Sequence, residues 1–569
     1  MGRTDRYRLR RPHLVRLAAC SLLLFGGLSS GLLAATGRIG TTTSVATGTG
    51  VSATTTTATT TTAPTLTAST ARVVLAVTGH GWGHGLGLSQ WGTYGYAKHG
   101  WTYDRILAHY YSGTTLGHSA VSSIRVQIAD ATKTVLSSSA DWTATDATGK
   151  KAALAPGKLT LTKALAVDGA PLAPPITFAS TEPLVVDGHP YRGSLVVSLD
   201  GKHVQVVDDV ALESYLKGVV PSEMPSKWPA EALKAQAVAA RSYALANLEK
   251  SGAAFDVYGD GRDQVYGGVA AESPSAGAAV DATKGVVVLY GGKVADTLFF
   301  SSSGGRTASA ADAMGTPVPY LVSVPDPYDA GSPYHDWGPV LVNGVQLAKQ
   351  LKLPGPIADL AATPGGDGRV HTFVVTGADG AQATITGAQA RTDLDLDSTW
   401  FSASLLSLQP GRNMTYGGTL PLTGTVRGAT GVTLESRAGT GAWQPAGAVT
   451  PDAAGAFSVL VRPSQTTQFR LAWGDVRAGL ARVGVVPAIS LQPATASGLT
   501  GSIRPALVGS VELQRKDPST SAWTTLVTNP TDATGAFSLP GPLAAGTYRV
   551  RAAPGHGLAP ALSAPFQVS

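Results

Sequence analysis

The sequence predicts an α+β fold, in which a mixed, β-rich region with one long helix is followed by two β-sandwich repeats. Short β-branched runs separated by turn residues continue from about residue 73 to residue 403, and one long helix pattern interrupts them. A different pattern then recurs with a period of about 80 residues. Charged residues make up 14% of the chain, against about 25% in an average domain. This scarcity excludes a charge-rich coiled coil, a histone-like nucleic-acid binder and an acidic disordered chain.

The first 35 residues have the sequence pattern of an export segment. They hold six arginines and one acidic residue, and they end in an apolar stretch from Leu17 to Ala35. A basic start before an apolar run is the pattern of a secretory signal. A run of about 19 residues is also long enough to stay as an uncleaved anchor, which would leave residues 17–35 as a membrane tether. In both interpretations the rest of the chain is secreted or held at the cell envelope.

The remainder of the chain is nearly neutral, with 37 basic and 36 acidic residues. This balance gives no basis for binding a phosphate backbone, so we expect no nucleic-acid partner. Cys20 is the sole cysteine. The exported domains can therefore hold neither an internal disulfide nor a cysteine-ligated metal, and burial must stabilise them.

Residues 36–72 are rich in Thr, Ala, Gly and Ser and predict a solvated linker. Globular patterning follows over residues 73–403, which we expect to form one domain. Asp200-Gly201 between two of its β-branched runs predicts a hairpin. The runs are Ile124–Ile128, Leu159–Leu161, Leu184–Val186, Leu195–Leu199, Val204–Val207 and Gly285–Leu289.

The long helix is predicted from about Pro229 to Leu248. A proline in its first turn and Glu231 near its positive end are typical of a helix start. Small and apolar residues recur along one face, which predicts close packing on a sheet. This stripe consists of Leu233, Ala237, Ala240, Ala244 and Leu248. A shorter helix is expected from Tyr103 to Tyr110.

The internal repeat predicts two β-sandwich domains of an immunoglobulin-like type, at residues 404–487 and 488–569. Their short alternating strands separated by turns are typical of small sandwiches. The repeats can act as spacers or bind a wall polymer or protein, and both interpretations stay open. The matching segments are Gly424–Arg427 with Gly501–Arg504, Trp443 with Trp523, Gly455–Phe457 with Gly535–Phe537, and Phe469 with Tyr548.

The first chemistry-bearing motif is a Gly-rich segment at residues 79–92, which reads GHGWGHGLGLSQWG. Alternating glycines let the backbone adopt restricted conformations and approach a ligand closely. We therefore expect His80, His84, Ser89 and Gln90 to contact a substrate. A metal shared by the two histidines and a purely structural turn are the alternatives. The segment does not fit a dinucleotide-binding loop, because no strand–helix unit with an acidic partner surrounds it.

The second motif contains Glu223, just before the long helix. A carboxyl flanked by Met224, Pro225 and Trp228 would lose water, and desolvation raises a carboxyl pKa towards the range of a general acid. The alternative is that Glu223 caps the helix or lies at its positive end. Residue types alone do not decide between the two.

Both motifs resemble the stage II sporulation protein D / LytB amidase-enhancer family, whose marks are a GHGxGxSQxG segment and a YLxGVVxxEMP…EALKAQAVAAR run. The resemblance covers about residues 75–403 and leaves the repeats out. Further agreement lies at Asp263–Gly268, Phe300–Thr307, Pro319–Leu321 and Ser398–Phe401.

The resemblance implies lytic transglycosylation of peptidoglycan glycan strands, preferentially strands without stem peptides. It places the catalytic acid at Glu223 and an active-site neighbour at Arg241, which we take as a second catalytic residue; a structural salt bridge is an equally ordinary role for this arginine. One carboxyl suffices, because it gives a proton to the glycosidic oxygen and recovers one from the muramoyl C6 hydroxyl. The resemblance also implies substrate contacts from Gln264, Ser302, Ser303 and Tyr320.

Two departures from the family pattern stand out. In sporulation members the Gly-rich segment follows the Glu-bearing region, whereas here it precedes it, as in a circular permutation. Many relatives also carry a Cys/His cluster before their Gln-Val-Tyr segment, but residues 256–263 contain neither residue type. We therefore expect no zinc and no other cofactor.

Three functions compete at this point. An exported lytic transglycosylase would release anhydro-muramoyl products, and Glu223→Gln would abolish the release. A non-catalytic wall protein that stimulates a partner amidase would act only when that amidase is present. A peptidoglycan-binding structural protein would lose wall binding when residues 405–569 are deleted.

Overall fold

The computed structural model describes residues 67–68, 72–167, 169–248 and 253–569. The predicted export segment and most of the predicted linker lie outside these ranges. No helix in the described ranges is both long enough and apolar enough to cross a membrane. The chain divides into two compact units, one containing Trp82–His335 and the other combining Ala63–Gly81 with Asp336–Ser569.

This division differs from the single domain expected over residues 73–403, because the first strand of that region belongs to the second unit. Val73–His80 pairs antiparallel with Asp336–Asn343 on one side and with Phe401–Leu408 on the other. Its partners lie far along the chain, so local sequence patterns do not reveal the pairing. The predicted bounds of the two C-terminal domains remain a prediction.

In the first unit a seven-stranded sheet provides the main scaffold. Its strands are antiparallel, except that Val257–Tyr258 runs parallel to Ser123–Ala131. In spatial order they are Val257–Tyr258, Ser123–Ala131, His203–Ala211, Ser194–Asp200, Ile176–Ser180, Trp142–Thr145 and Lys151–Leu154. A four-stranded sheet is ordered His189–Tyr191, Leu184–Val186, Lys133–Ser138 and Gly157–Thr162, and a three-stranded sheet is ordered Lys293–Val294, Val286–Tyr290 and Thr115–His118. Two further strand pairs are Ala166–Val167 with Ala170–Pro171 and Leu88–Ser89 with Phe299–Phe300.

Several helices of the first unit pack against its longest member, α4. The helices of this unit are α1 (Gln90–Lys98), α2 (Tyr103–Tyr110), α3 (Leu212–Glu223), α4 (Ala230–Ala246), α5 (Gly268–Ala271), α6 (Pro274–Ala282) and α7 (Ala310–Met314), and a 3-10 turn covers Pro327–Gly331. One face of α4, with Leu233 and Ala237, packs into the core of the main sheet. Another face, with Ala235 and Val238, packs against α1 and α2. The small side chains predicted for α4 therefore allow burial on two sides.

The local elements agree with several sequence predictions. The helix at Tyr103–Tyr110 has the expected bounds, and α4 lies inside the expected range. The hairpin at Asp200-Gly201 joins Ser194–Asp200 to His203–Ala211. The α3 helix was not predicted, because Pro221, Gly218 and two adjacent valines give it low helix propensity. Its buried face packs into the main core, and this tertiary packing stabilises it.

The second unit is built mainly from sheets. One is ordered Asp336–Asn343, Val73–His80, Phe401–Leu408, Leu420–Arg427 and Ala456–Val461, and another Thr67–Ala68, Val476–Val483, Thr467–Trp473, Thr433–Ala438 and Gln444–Ala448. A three-stranded sheet contains Ile357–Pro364, Val370–Gly377 and Gln382–Thr386, and Met414–Thr415 pairs with Val485–Val486. Another three-stranded sheet contains Ala488–Leu491, Gly498–Arg504 and Ala536–Pro540. A five-stranded sheet contains Trp523–Pro530, Ser510–Lys516, Gly546–Ala553, Ala561–Leu562 and Phe566–Val568. Helices α8 (Gly344–Gln350) and α9 (Gly387–Asp393) accompany them.

The internal repeat is visible in the strand register of the second unit. Gly424 pairs with Phe457 in the first copy, and Gly501 pairs with Phe537 in the second. At both glycines a Cβ atom would collide with the paired phenylalanine ring, so the ring requires a glycine opposite it. The unit is β-rich, as predicted, and its immunoglobulin-like character remains a prediction.

Candidate functional site

Glu223 is the last residue of α3, and the connection 224–229 separates it from α4. The sequence placed it just before the long helix, and one alternative put it at the positive end of that helix, which would stabilise its charge. The structure corrects this placement. At the C-terminal end of a helix the backbone dipole is negative, so it disfavours an ionised carboxyl. The alternative role as a helix N-cap does not hold for Glu223.

The surroundings of Glu223 favour its protonated form. The side chain is only partly exposed, and burial raises its pKa above the usual range for glutamate. Two hydrogen-bonding groups oppose this rise, the backbone N–H of Val265 and the side chain of Gln90. Val265 donates to Glu223 Oε1 at 2.9 Å. Burial is the larger effect, so the carboxyl holds its proton to a higher pH than an exposed glutamate does.

The contribution of Gln90 connects the Gly-rich segment with Glu223. Gln90 is the first residue of α1 and is buried. Ser89 caps the helix by accepting a hydrogen bond from the Gly92 N–H at 3.2 Å. Before α1, the alternating glycines of the Gly-rich segment have left-handed backbone conformations. At Gly87, with φ +73°, an added Cβ atom would collide with the Leu298 carbonyl oxygen. Glycine therefore lets this segment lie close to its neighbours in the first unit, with Gln90 near the carboxyl.

Buried Asp329 links the Gly-rich segment to the loop at residues 302–304. Its carboxylate accepts hydrogen bonds from the hydroxyls of Ser89 at 3.0 Å and Ser302 at 2.8 Å. It also accepts from the backbone N–H groups of Ser303 and Gly304, each at 2.9 Å. Ser89, Ser302 and Ser303 are fully or almost fully buried. The structure thus assigns them to an internal network, in contrast to the substrate contacts predicted from the sequence.

Asp326 lies beside this network and is also buried. It accepts hydrogen bonds from the hydroxyls of Tyr110 at 3.0 Å and Ser303 at 2.8 Å. Burial, followed by the nearby charge of Asp329, raises the pKa of Asp326 to about 7. No sequence signal indicated these two aspartates, because residues 325–329 lie in a segment with no regular pattern.

We expect Asp326→Asn to reduce the pH dependence of stability. The folded pKa of about 7 exceeds the unfolded value of about 3.9. Asp326 therefore stabilises the fold fully below pH 4, and this contribution is lost as the pH rises through 7. Between pH 5 and pH 8 the free energy of unfolding of the wild type should fall by on the order of 2 kcal/mol more than that of the variant. Unfolding measured at both values tests this, with exposed Asp104→Asn as control; equal losses in wild type and Asp326→Asn would contradict it.

Arg241 and Gln264 are both buried and bonded within the protein. Arg241 is 0% exposed, and its Nε and Nη2 donate to the two carboxylate oxygens of Glu213 at 3.0 and 2.6 Å. Gln264 accepts from the Tyr215 hydroxyl at 3.0 Å and donates to the Ala240 carbonyl at 3.2 Å. The structure therefore differs from the predicted catalytic role of Arg241 and substrate contact of Gln264, since neither side chain reaches solvent.

The remaining predicted residues each have a partner within their own unit. His84 Nδ1 accepts from the Leu86 N–H at 3.0 Å, and its Nε2 lies 3.0 Å from the Phe299 carbonyl, so both ring nitrogens contact the backbone of the first unit. His80 belongs to the second unit, where its Nδ1 lies 2.6 Å from Asp336. Partly exposed Tyr320 accepts a hydrogen bond from the Asp296 N–H at 3.0 Å. In the described residues no cluster of three or more His, Cys, Asp or Glu side chains is placed to hold a metal ion.

A second carboxylate lies near Glu223. Asp263 accepts hydrogen bonds from the Tyr243 hydroxyl at 3.0 Å and the Tyr258 N–H at 2.8 Å. Burial raises the pKa of Tyr243 most, and the charges of Asp263, Asp296 and Glu223 raise it further, so this ring lies within electrostatic range of all three carboxylates. Other acidic residues of this region have structural partners: Tyr266 for Asp208, Arg125 for Asp256 and Arg262 for Asp260.

Comparison with known proteins supports the resemblance. Residues 200–290, which include Glu223, match the SpoIID family model, described as Stage II sporulation protein. The chain is 33% identical over 217 residues to Stage II sporulation protein D of Bacillus subtilis (strain 168), and 39% identical over 141 residues to Amidase enhancer of the same strain. It is 41% identical over 151 residues to an uncharacterized protein of Brachyspira hyodysenteriae. The predicted similarity to the SpoIID family is confirmed.

These matches are partial. They cover 35%, 25% and 26% of this chain, and 61%, 19% and 41% of the respective relatives. A solved structure titled "Cytokine receptor complex - Crystal form 1A" aligns with 26% of this chain and 90% of its own, at 23% identity and a TM-score of 0.18. That score is too low to support an argument about the fold.

Proposed function

We propose that this protein is an exported lytic transglycosylase of peptidoglycan. It would cleave the bond between N-acetylmuramic acid and N-acetylglucosamine in glycan strands without stem peptides. The similarity to Stage II sporulation protein D and Amidase enhancer supports a function at the cell wall. We base the lytic transglycosylase on one observation: Glu223 is a partly exposed residue, and burial raises the pKa of its carboxyl.

A carboxyl with a raised pKa suits an acid that must first give a proton and then recover one. Glu223 donates its proton to the glycosidic oxygen, and the bond from that oxygen to C1 of the muramoyl ring breaks. The oxocarbenium-like ring is then attacked at C1 by its own C6 hydroxyl, whose proton returns to Glu223. The products are a 1,6-anhydro-muramoyl end and a free hydroxyl on the neighbouring sugar, and no water is consumed.

This route needs one carboxyl, whereas ordinary hydrolysis by glycosidases uses two. Asp263 is the acidic residue whose position best suits a second role. Both of its oxygens already accept hydrogen bonds, from Tyr243 and from Tyr258. An aspartate fixed in this way is suited to orienting Tyr243, whose ring lies within electrostatic range of Glu223. We therefore propose the one-carboxyl route and treat Asp263 as a positioning residue.

Product masses test the proposal. Purified protein is incubated with peptide-stripped glycan strands, and the fragments are analysed by mass spectrometry. Transglycosylation predicts fragments that are lighter by one water than those with reducing ends. Fragments with reducing ends would contradict the mechanism, and unchanged strands would contradict the activity.

The name of one relative, Amidase enhancer, favours a second candidate function. In this alternative the protein binds the wall without cleaving it and stimulates an N-acetylmuramoyl-L-alanine amidase. Release of stem peptides would then rise when the protein is added to such an amidase. The effect would be the same with Glu223→Gln, which separates this candidate from the first.

Gln90→Leu should move the alkaline limb of the pH–rate profile to higher pH. The Gln90 side chain lowers the pKa of Glu223, so its loss raises that pKa further and keeps the acid protonated at higher pH. We expect a displacement of roughly 0.5–1 pH unit in kcat/KM, since a hydrogen bond to a charged group is worth about 1 kcal/mol or more. Lys98→Leu, at the exposed far end of α1, should leave the limb in place. A limb that stays or moves to lower pH would contradict the assigned contact.

A further inference from the structure

Three aromatic side chains from two segments form a cluster in the first unit, which we call the aromatic platform. It consists of Trp91 and Tyr94 in α1 and Trp228 in the connection before α4. The ring centres of Trp91 and Tyr94 each lie 4.9 Å from that of Trp228, and 5.7 Å from each other. The platform therefore joins the Gly-rich motif to the motif that contains Glu223.

The platform lies next to the carboxyl site. Trp91 follows Gln90, whose side chain acts on Glu223. Tyr94 is four residues after Gln90 on the same helix, so the two side chains are neighbours on one helix face. The backbone N–H of Trp91 donates to the Ser301 carbonyl at 2.9 Å, which fixes the start of α1. A ligand held on these rings would thus extend towards Glu223.

The rings present polar atoms without partners in the protein. Trp91, Tyr94 and Trp228 are all partly exposed. Across the described residues, neither indole N–H nor the Tyr94 hydroxyl has a hydrogen-bonding partner. Buried tryptophan and tyrosine side chains normally find such partners. Trp228 also packs on the main core, which holds the platform in place.

This combination suits a pyranose ring. The C–H face of a sugar is apolar and stacks on an aromatic face, while its equatorial hydroxyl and acetamido groups need hydrogen-bond donors and acceptors at the edge. A ligand site generally pairs apolar walls with a few polar groups in this way.

We propose that the aromatic platform binds one N-acetylhexosamine ring of the glycan strand, next to the bond that Glu223 cleaves. This inference rests on the proposed function and adds a specific substrate contact to it. It also gives a reason why Gln90 and Trp91 are adjacent in the Gly-rich motif. Gln90 acts on the acid, while Trp91 holds the sugar.

Binding of a β-1,4-linked N-acetylglucosamine tetramer to the full-length Glu223→Gln protein tests the platform separately from cleavage. We expect Trp91→Ala and Trp228→Ala, each added to this variant, to weaken binding at least tenfold. Trp101→Ala is the matched control, because Trp101 is a partly exposed tryptophan of the same unit that stacks on Arg105. Affinity within twofold of the parent in both platform variants would overturn the proposal.

A second measurement does not depend on how well the alanine variants fold. The protein is labelled with 5-fluorotryptophan, and the resonances are assigned with Trp91→Phe and Trp228→Phe. Addition of the tetramer should shift the fluorine signals of Trp91 and Trp228 and leave that of Trp101 in place. Signals at 91 and 228 that stay fixed while the tetramer binds would overturn the platform.

The outcomes also separate this inference from the proposed function. Tetramer binding that requires the platform, in a wild-type protein that cleaves no glycan, supports the platform and contradicts the transglycosylase. Cleavage by the wild type with an unchanged KM in both platform variants contradicts the platform and leaves the transglycosylase in place.

Discussion

Glu223→Gln should lower the rate of glycan cleavage by at least about 10²–10⁴-fold, the usual contribution of a general acid–base group. Glutamine can neither donate a proton to the glycosidic oxygen nor accept one from the C6 hydroxyl. Both halves of the proposed reaction therefore fail together. Steady-state release of anhydro-muramoyl ends from peptide-stripped strands measures the loss.

The variant should keep its fold. A glutamine carbonyl can still accept the hydrogen bond from the Val265 N–H that Glu223 Oε1 accepts at 2.9 Å. The pKa of Glu223 is raised in the folded state, so its stabilising contribution is present below the unfolded pKa and is lost as the pH rises. At neutral pH an uncharged amide should therefore cost no stability. An unchanged or higher Tm would show that lost activity reflects lost chemistry.

Glu272→Gln is the matched control for this substitution. Glu272 is a half-buried glutamate of the same unit whose carboxylate pairs with Arg192 at 2.6 Å. Its loss should leave cleavage close to the wild-type rate. Equal activity of wild type and Glu223→Gln would contradict the assignment of the acid.

Arg241→Met should destabilise the first unit by about 3–5 kcal/mol, the usual cost of removing one partner from a buried ion pair. Arg241 is completely buried, and the side chain of its partner Glu213 is 21% exposed. The guanidinium also donates to the Val286 carbonyl at 3.1 Å. Its loss leaves buried acceptors without donors. Calorimetric unfolding of the full chain measures the loss, which corresponds to roughly 2–4 °C in Tm per kcal/mol.

Arg262→Met provides the comparison with an exposed ion pair. Arg262 and Asp260 are 2.7 Å apart, and about half of each side chain is exposed. Such pairs contribute about 0–1 kcal/mol. If Arg241→Met instead kept its Tm while losing all cleavage activity, Arg241 would have the catalytic role expected from the sequence, and the structural assignment would be contradicted.

The sequence predicted several strands, a hairpin and the helix α4 well, because each of these elements depends on a pattern among neighbouring residues. The β-branched runs and the Asp200-Gly201 turn carry period-two and turn patterns that predict strands and a hairpin. The α3 helix lacked such a signal, since Pro221 and Gly218 lower its helix propensity. Its position changes the chemistry, because it places Glu223 at a negative helix end.

The candidate site was only partly predictable, because sequence patterns report local structure and the site depends on contacts between distant segments. Glu223 and Gln90 lie in distinctive motifs, but their approach depends on how α1 and α3 pack, which no local pattern encodes. Burial was the harder property to predict. Polar residues such as Arg241 and Ser302 were expected at a substrate surface, whereas buried Glu213–Arg241 and Asp329–Ser302 contacts hold them inside. The sequence assigned Trp228 a role only as a residue that desolvates Glu223, because the clustering of the three aromatic rings appears only in three dimensions.

Digestion of peptide-stripped glycan in water enriched in oxygen-18 tests most directly whether Glu223 catalyses an internal transfer. We expect 1,6-anhydro ends without the heavy isotope in the wild type and almost no product from Glu223→Gln. Reducing ends that carry oxygen-18, or equal product from the two proteins, would contradict it.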